Sequence, residues 1–307
     1  MNVHGLPPQM HVFVRDWLSA NNIVLRSPRG HTLIDSGYGT NRALTLALLA
    51  SPRGLGRDPL AELVNTHCHS DHFGGNAAVA ARYGCPIALP EDEVPIVERW
   101  DTTALLLDNA DQHAERFHVD RAIAAGSTET WGDLDWQVLA APGHAMRAVV
   151  FYNPEHRILI SGDTLWENGF GFVMPAAMDP DALPATRDTL EMIAGLDLRT
   201  VIPGHGDVIT EPGPALDRAF KRIAAFEADE SRVARHALKA LLTFNLLDRR
   251  SMPVAHLPAF VATTAFYREV NALCFGLSAQ GLADLLVNEL IKVGAVQLVD
   301  GNLVPSA

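Results

Sequence analysis

The stretch Leu63-Val64-Asn65-Thr66-His67-Cys68-His69-Ser70-Asp71-His72-Phe73-Gly74-Gly75 decides how the rest of the chain is read. Three imidazoles and a carboxylate fall within six residues, directly after an apolar run and just before paired glycines. Imidazole nitrogen and carboxylate oxygen are ligands that zinc, iron and manganese accept together. A strand that ends in a tight loop brings His67 and His69 to one side, while Asp71 and His72, one step further round, reach a second position. The spacing hints at two metals. By the same alternation Cys68 points to the opposite face, which makes it a structural residue and not a ligand.

The remainder of the chain supplies a body large enough to hold such a site. At 307 residues and 48% hydrophobic, it can bury the core of one large domain plus a small one. The first residues, Met1 to Pro8, lack the basic start and apolar run of a secretory signal, and no apolar stretch is long enough to span a bilayer. A soluble, cytoplasmic protein without membrane contact is therefore expected. Cys68, Cys85 and Cys274 are widely spaced and form no CxxC pair, which argues against a disulfide scaffold or a thiolate zinc site. The net charge of −12 is concentrated in residues 1–212, which hold 27 acidic against 14 basic side chains. That balance disfavours phosphate backbones, so no nucleic-acid partner is expected.

Outward from the cluster, strands and helices alternate. Asn22–Arg26 and His31–Asp35 read as strands joined by the turn Ser27-Pro28-Arg29-Gly30. Arg42–Ala50 reads as a helix, Leu60–Asn65 as a strand, Asn76–Arg82 as a helix and Pro86–Leu89 as a short strand. Residues 91–117 read as mostly helical, with Glu91, Asp92 and Glu93 in the first turn. Strands resume at Asp135–Ala140, Ala148–Tyr152 and Arg157–Ile160, followed by a helix at Asp181–Gly195 and the strand Thr200–Ile202.

The ends of these strands repeat one design. Ala140-Ala141-Pro142-Gly143-His144, Leu159-Ile160-Ser161-Gly162-Asp163 and Val201-Ile202-Pro203-Gly204-His205 each place a metal-competent side chain after an apolar strand and a glycine turn. Glycine permits the tight turn and the close approach of backbone that such a delivery requires.

Taken together, the HxHxDH run and the later His144, Asp163 and His205 make the chain resemble the metallo-β-lactamase superfamily over about residues 10–212. Ile34-Asp35-Ser36-Gly37 is similar to that superfamily's N-terminal signature. The resemblance implies an αββα sandwich, two mixed sheets face to face with helices outside, and a dinuclear site at one edge. It implies that His67, His69 and His144 hold one metal, that Asp71, His72 and His205 hold the other, and that Asp163 bridges them. Two divalent cations are expected, zinc first, with iron or manganese as alternatives. Asp71 has a second expected task, as the catalytic residue that orients a metal-bridging hydroxide and passes a proton to the leaving group. Asp35 is either a support for the metal-bearing loops or a turn cap. His4, His11, His31, His113, His118, His156, His236 and His256 lack ligand spacing and read as surface or ordinary packed residues.

Residues 213–307 form a separate unit. Helices cover most of 214–247, Tyr267–Phe275 is another, and Ser278 caps one that runs to Lys292. Val296–Val299 and Asn302–Val304 flank Asp300-Gly301, a strong hairpin signal. This helix and hairpin resemble a winged-helix module. With one lysine against Asp284 and Glu289, the helix is poorly suited to DNA, so packing, homodimer formation or closure of one side of the cleft is expected. The aromatic segment Leu165–Met174 starts beside Asp163 and either walls a pocket for an apolar acyl group or packs beneath the domain junction.

The expected activity is hydrolysis of an ester, thioester or lactone of a small, partly apolar substrate. The hydroxyacylglutathione hydrolases, which keep all seven ligands, are the similar group within the superfamily, although Gly206-Asp207-Val208 departs from their continuation after the last histidine. A metal-dependent nuclease or phosphodiesterase and an iron-dependent, persulfide dioxygenase-like oxidoreductase are the competing readings.

Overall fold

The protein is described here by a computed structural model over residues 5–306; His4 and the first residues of the segment read as lacking a signal lie outside the described residues. One sheet is built from β1 (Met10–Phe13), β2 (Asn22–Leu25), β3 (His31–Ile34), β4 (Leu60–Val64), β5 (Ile87–Pro90) and β6 (Arg121–Ile123), side by side in sequence order. The other is built from β7 (Thr128–Trp131), β8 (Leu134–Ala140), β9 (Val149–Asn153), β10 (Ile158–Gly162) and β11 (Thr200–Pro203), also in order. Both are mixed: β3 to β6 run parallel after an antiparallel start, and β11 lies parallel to β10 after antiparallel neighbours.

Many of these strands are apolar on both faces because both faces are covered. Ile23, Leu25, Ile34 and Val64 meet Val138, Phe151, Ile160 and Ile202 between the sheets. Their neighbours Val24, Leu33 and Leu63 face outward against α1 (Arg42–Ala50), α3 (Asn76–Tyr83) and α4 (Val94–Arg99); between α1 and α3 lies the single turn α2 (Ser70–Phe73). On the far side Val150, Leu159 and Val201 pack against α5 (Ala182–Ala194) and α6 (Pro212–Ala228). The layers are the expected αββα.

The helical reading of residues 91–117 is corrected. Only a short 3-10 turn at Glu91–Glu93 and the six residues of α4 precede a break at Trp100, whose φ of 54° is left-handed. Beyond it the chain turns irregularly, with Leu106 and Asp111 also at positive φ. Leu105, Leu106 and Leu107 are buried by tertiary contact, so a helix-like composition sits in a buried loop.

The C-terminal part contains α7 (Ser231–Arg249), β12 (Met252–Pro253), α8 (Leu257–Thr263), α9 (Ala265–Cys274), α10 (Ala279–Lys292), β13 (Val296–Val299) and β14 (Asn302–Pro305) around a core that also takes in Leu106 and Ala110. Ser278 Oγ accepts from Gly281 N–H at 3.1 Å and caps α10 as expected. Asp300 and Gly301, at φ 48° and 76°, make the two-residue turn of the final hairpin. α7 is seated on the sandwich through Asn245, whose amide donates to the carbonyls of Ala110 and Asp111 at 3.1 Å each and accepts from Tyr267 Oη at 2.6 Å. Among the described residues no single helix is long and apolar enough to cross a membrane.

Candidate metal centre and its cleft

β3, β4, β8, β10 and β11 deliver their C-terminal ends to one edge of the sandwich. Asp35 follows β3, His67 and His69 follow β4, His144 follows β8, Asp163 follows β10 and His205 follows β11, while Asp71 and His72 lie on α2. All seven expected ligand residues meet there. They form two nests, His67, His69 and His144 in one and Asp71, His72, Asp163 and His205 in the other; within each nest the ligand atoms lie within 4.8 Å of one another.

Asp163 stands between the nests. Its Oδ1 lies 3.2 Å from His72 Nε2 and 3.8 Å from His205 Nε2, and its Oδ2 lies 3.5 Å from His144 Nε2. His69 Nδ1 and His144 Nε2 approach to 2.8 Å, and His205 Nε2 lies 3.0 Å from Asp71 Oδ2. His67 Nε2 and His72 Nε2 are buried with no hydrogen-bond partner. Each such group costs about 1–3 kcal/mol when unpaired, and a cation would engage both. The donor set of nitrogens and carboxylate oxygens therefore fits zinc, iron or manganese.

The rings are held from behind. His72 Nδ1–H donates to Asp35 Oδ2 at 2.8 Å, and His144 Nδ1–H donates to the carbonyl of Phe172 at 2.6 Å, so both rings turn Nε2 toward the centre. Asp35 also accepts from Thr66 N–H at 3.0 Å, Thr66 Oγ1 at 2.9 Å and Asn65 Nδ2 at 3.2 Å, which resolves its sequence reading in favour of support. Two glycines make the close packing possible. A Cβ on Gly204 would lie 2.3 Å from Asp163 Oδ1, and one on Gly171 would lie 2.4 Å from His144 Nδ1.

Burial and mutual charge set the protonation preferences. Burial lowers the pKa of His67, His69 and His144, taking His69 to about 3, which keeps these rings neutral and available as ligands. Burial also opposes the charge on His72, but Asp163, Asp35 and Asp71 around it raise its pKa well above the ordinary value. Burial works against the carboxylates too, yet His72 and His205 hold both Asp71 and Asp163 below the ordinary range. Cys68 sits in the apolar layer on the other face of its sheet, and burial raises its thiol pKa, as befits a structural residue.

The centre opens into a cavity of about 240 Å³. Trp17 stacks on His205 with ring centroids 5.6 Å apart, and Trp166 Nε1 donates to Asp163 Oδ1 at 3.1 Å. The Leu165–Met174 segment divides between its two expected roles: Trp166 and Phe172 line the cavity, whereas Phe170 is buried against Phe226 of α6. The opposite wall is α7, with Leu241, Phe244 and Leu247, so the C-terminal unit does close one side of the cleft. Trp17, Leu106, Gln112 and His236 also line it, and the sequence alone does not single them out for this position. None carries a local signal, because each reaches the cleft only through tertiary packing. His236 is packed on Phe226 and stands outside both nests, in keeping with its lack of ligand spacing, and it also borders the cavity.

Comparison with known proteins agrees with this arrangement. Over 115 residues the chain is 28% identical to a hydroxyacylglutathione hydrolase of Bdellovibrio bacteriovorus, covering 36% of this chain and 37% of that protein. It is 30% identical over 215 residues to the hydroxyacylglutathione hydrolase of Nitrosococcus oceani, covering 69% of this chain and 66% of that one. It is 26% identical over 201 residues to the acyl-coenzyme A thioesterase MBLAC2 of Gallus gallus, covering 61% and 72%. The chain thus spans little more than a third of the first of these relatives. Among solved structures, a metallo-beta-lactamase family protein from Thermus thermophilus aligns with 98% of this chain and 100% of its own, at a TM-score of 0.56 and 20% identity, which establishes a shared fold. The sequence profile of the Metallo-beta-lactamase superfamily matches residues 15–205, the span that carries every strand of both sheets after β1 and all seven clustered side chains, and the chain belongs to that superfamily.

Proposed function

We propose that this chain is a dinuclear, zinc-dependent hydrolase that cleaves an ester, thioester or lactone bond in a small, uncharged and partly apolar substrate. The observation that carries the reading is the gathering of seven candidate ligands, five of them buried, into two nests joined at Asp163 and open to a cavity that no lysine or arginine lines among the described residues. The names of the relatives, hydroxyacylglutathione hydrolase and acyl-coenzyme A thioesterase, support the bond class.

Bound divalent cations would supply Lewis acidity and an acidified water. His67, His69 and His144 would hold one, Asp71, His72 and His205 the other, with Asp163 shared. The remaining work belongs to the chain. Asp71, at the cavity and hydrogen-bonded to His205, is placed to take a proton and return it to the leaving group. Trp17 and Trp166 screen the rim from water, and Phe172 with the apolar face of α7 holds the hydrocarbon part of the substrate.

The competing readings have less support. A nuclease needs cations along its track, yet Lys239 of α7 is tied to Glu289 at 2.8 Å and Arg235 faces Asp229 and the same glutamate. A single-iron oxidoreductase would leave the second nest without a task. We further propose that residues 1–212 carry the chemistry and residues 213–307 the winged-helix-like wall, with α6 packed on the former. A homodimer through the C-terminal unit is supported by the exposure of Ile291, Val293, Leu298 and Val299, and light scattering tests it. For the hydrolase, metal analysis is combined with an ester, thioester and lactone panel. A metal-replete protein inactive on all three, and indifferent to a chelator, would end the proposal.

A further inference from the structure

Within the apolar wall that α7 presents to the cavity, His236 is chemically out of place. Its ring packs against Phe226 at 5.5 Å, and its Nδ1 is buried with no hydrogen-bond partner. Among the described residues no hydrogen bond engages Nε2 either, and because the residue lines the cavity while Nδ1 is buried, Nε2 is the atom that meets the space. A buried N–H without an acceptor is a rarer and costlier arrangement than an unfilled lone pair. The proton of the neutral ring therefore belongs on Nε2, where the cavity leaves room for a partner. The ring is indeed neutral at ordinary pH, since burial, with Arg222 and Lys239 nearby, pushes its pKa down to about 3.

We propose that His236 Nε2–H is a substrate-positioning donor that reads an uncharged oxygen acceptor, a carbonyl, amide or hydroxyl oxygen, carried on the acyl part of the substrate beyond the bond that is cleaved. This rests on the hydrolase reading and deepens it to a substrate class: an acyl ester, thioester or lactone whose chain is apolar except for one further oxygen. Leu241, Phe244 and Leu247 offer the chain apolar contact, and the His236 donor, on the same helix as the lining Thr243, sets how far an oxygen on it enters. Neutrality favours a neutral acceptor over a carboxylate, and the absence of lysine and arginine from the cavity wall, among the described residues, points the same way.

The test uses the full chain, loaded with zinc, and pairs of esters with the same leaving group whose acyl chains differ only by a 3-oxo group. Wild type is expected to prefer the oxo substrate, and His236→Phe, which keeps a flat ring and removes the donor, to lower kcat/KM for it about five- to twentyfold more than for the plain one. The change should fall mainly on KM, because the contact lies outside the reacting bond. His236→Gln, which restores an N–H donor, should recover part of the preference. A ratio that does not move in His236→Phe overturns the inference while leaving the hydrolase reading intact. A second measurement does not depend on turnover: nitrogen NMR of the imidazole at neutral pH, with and without the 3-oxo carboxylic acid product. An Nε2–H tautomer that shifts on binding the oxo acid supports the assignment even if no ester is cleaved; an Nδ1–H tautomer or an imidazolium overturns it.

Discussion

Replacing Asp35 by asparagine should loosen one metal and spare the other. The carboxylate divides its work: Oδ1 accepts from Thr66 N–H and Asn65 Nδ2, and Oδ2 accepts from Thr66 Oγ1 and His72 Nδ1. An asparagine keeps the first pair on its carbonyl oxygen but turns an NH2 toward the second. The Thr66 hydroxyl can rotate to accept. His72 can accept only by moving its proton from Nδ1 to Nε2, which points an N–H at the metal position. Restoring the ligating tautomer sets two donors against each other and loses a charge-assisted hydrogen bond, a cost of about 1.5–3 kcal/mol. At roughly 1.4 kcal/mol per decade this weakens metal binding about 10- to 100-fold. Backbone strain does not confuse the result, because Asp35 has φ of 57° and asparagine tolerates that region, unlike alanine. Competition with a chromophoric zinc chelator, fitted to two sites, should show the loss at the nest that contains His72 and near-native affinity at His67, His69 and His144. Wild-type affinity at both sites would refute the reasoning, as would equal loss at both with a collapsed melting transition.

Gly204→Ala would set a methyl carbon 2.3 Å from Asp163 Oδ1 and 2.8 Å from His72 Cε1, so the shared carboxylate must move; metal content by mass spectrometry should fall below one ion per chain while far-ultraviolet circular dichroism stays native. Removing the metals should leave His67 Nε2 and His72 Nε2 unpaired and lower the melting temperature by about 5–15 °C, reversed by zinc; calorimetry showing no change would count against a resident cation. For His236 the folded pKa of about 3 lies below the ordinary value of 6.5, so the unfolded chain binds the extra proton and stability falls as pH drops through that window. At about pH 4.5 the penalty is roughly 2–3 kcal/mol, and His236→Leu, compared with wild type by urea titration after both are stripped of metal, should lack it.

The clustered site residues were legible because His67, His69, Asp71 and His72 crowd into one run after an apolar strand, because His144, Asp163 and His205 each follow an apolar strand and a glycine turn, and because the strands ending in Leu63-Val64, Ile160 and Ile202 run the same way to one edge. Cys68 followed from alternation alone. What escaped depends on contacts distant in sequence. The leucines at 105–107 have helical composition, but positive φ at Trp100, Leu106 and Asp111 belongs to a loop whose side chains are buried against other elements. β1, β6 and β7 are short and only partly buried, so no apolar run marks them, unlike the equally short β5 and β11, whose residues are all buried. His236 lies on an amphipathic helix whose buried face is easily recognised, yet nothing local tells which part of that face meets a partner and which meets a cavity.

That last distinction bears on how activity and specificity are divided. Asp35, the clustered ligands and the glycines that admit them all belong to the sandwich, whereas much of the wall facing them belongs to α7. The position of α7 is fixed by polar groups that have no slack: Asn245 is buried, its amide satisfied by two loop carbonyls and its oxygen by Tyr267, and Tyr38 Oη and Thr40 Oγ1 both donate to Asp248 at the helix end. A shift of the helix would strand several of these groups at about 1–3 kcal/mol each, so the width of the cleft is a property of the fold and not of the ligand. Substitutions on the cavity face of α7, at His236, Leu241, Phe244 or Leu247, can then alter what fits the cleft without disturbing the clustered histidines and carboxylates. It follows that two chains sharing all seven ligand residues need not share a substrate, and that the residues to compare between them lie on this helix and on the loop from Trp166 to Phe172.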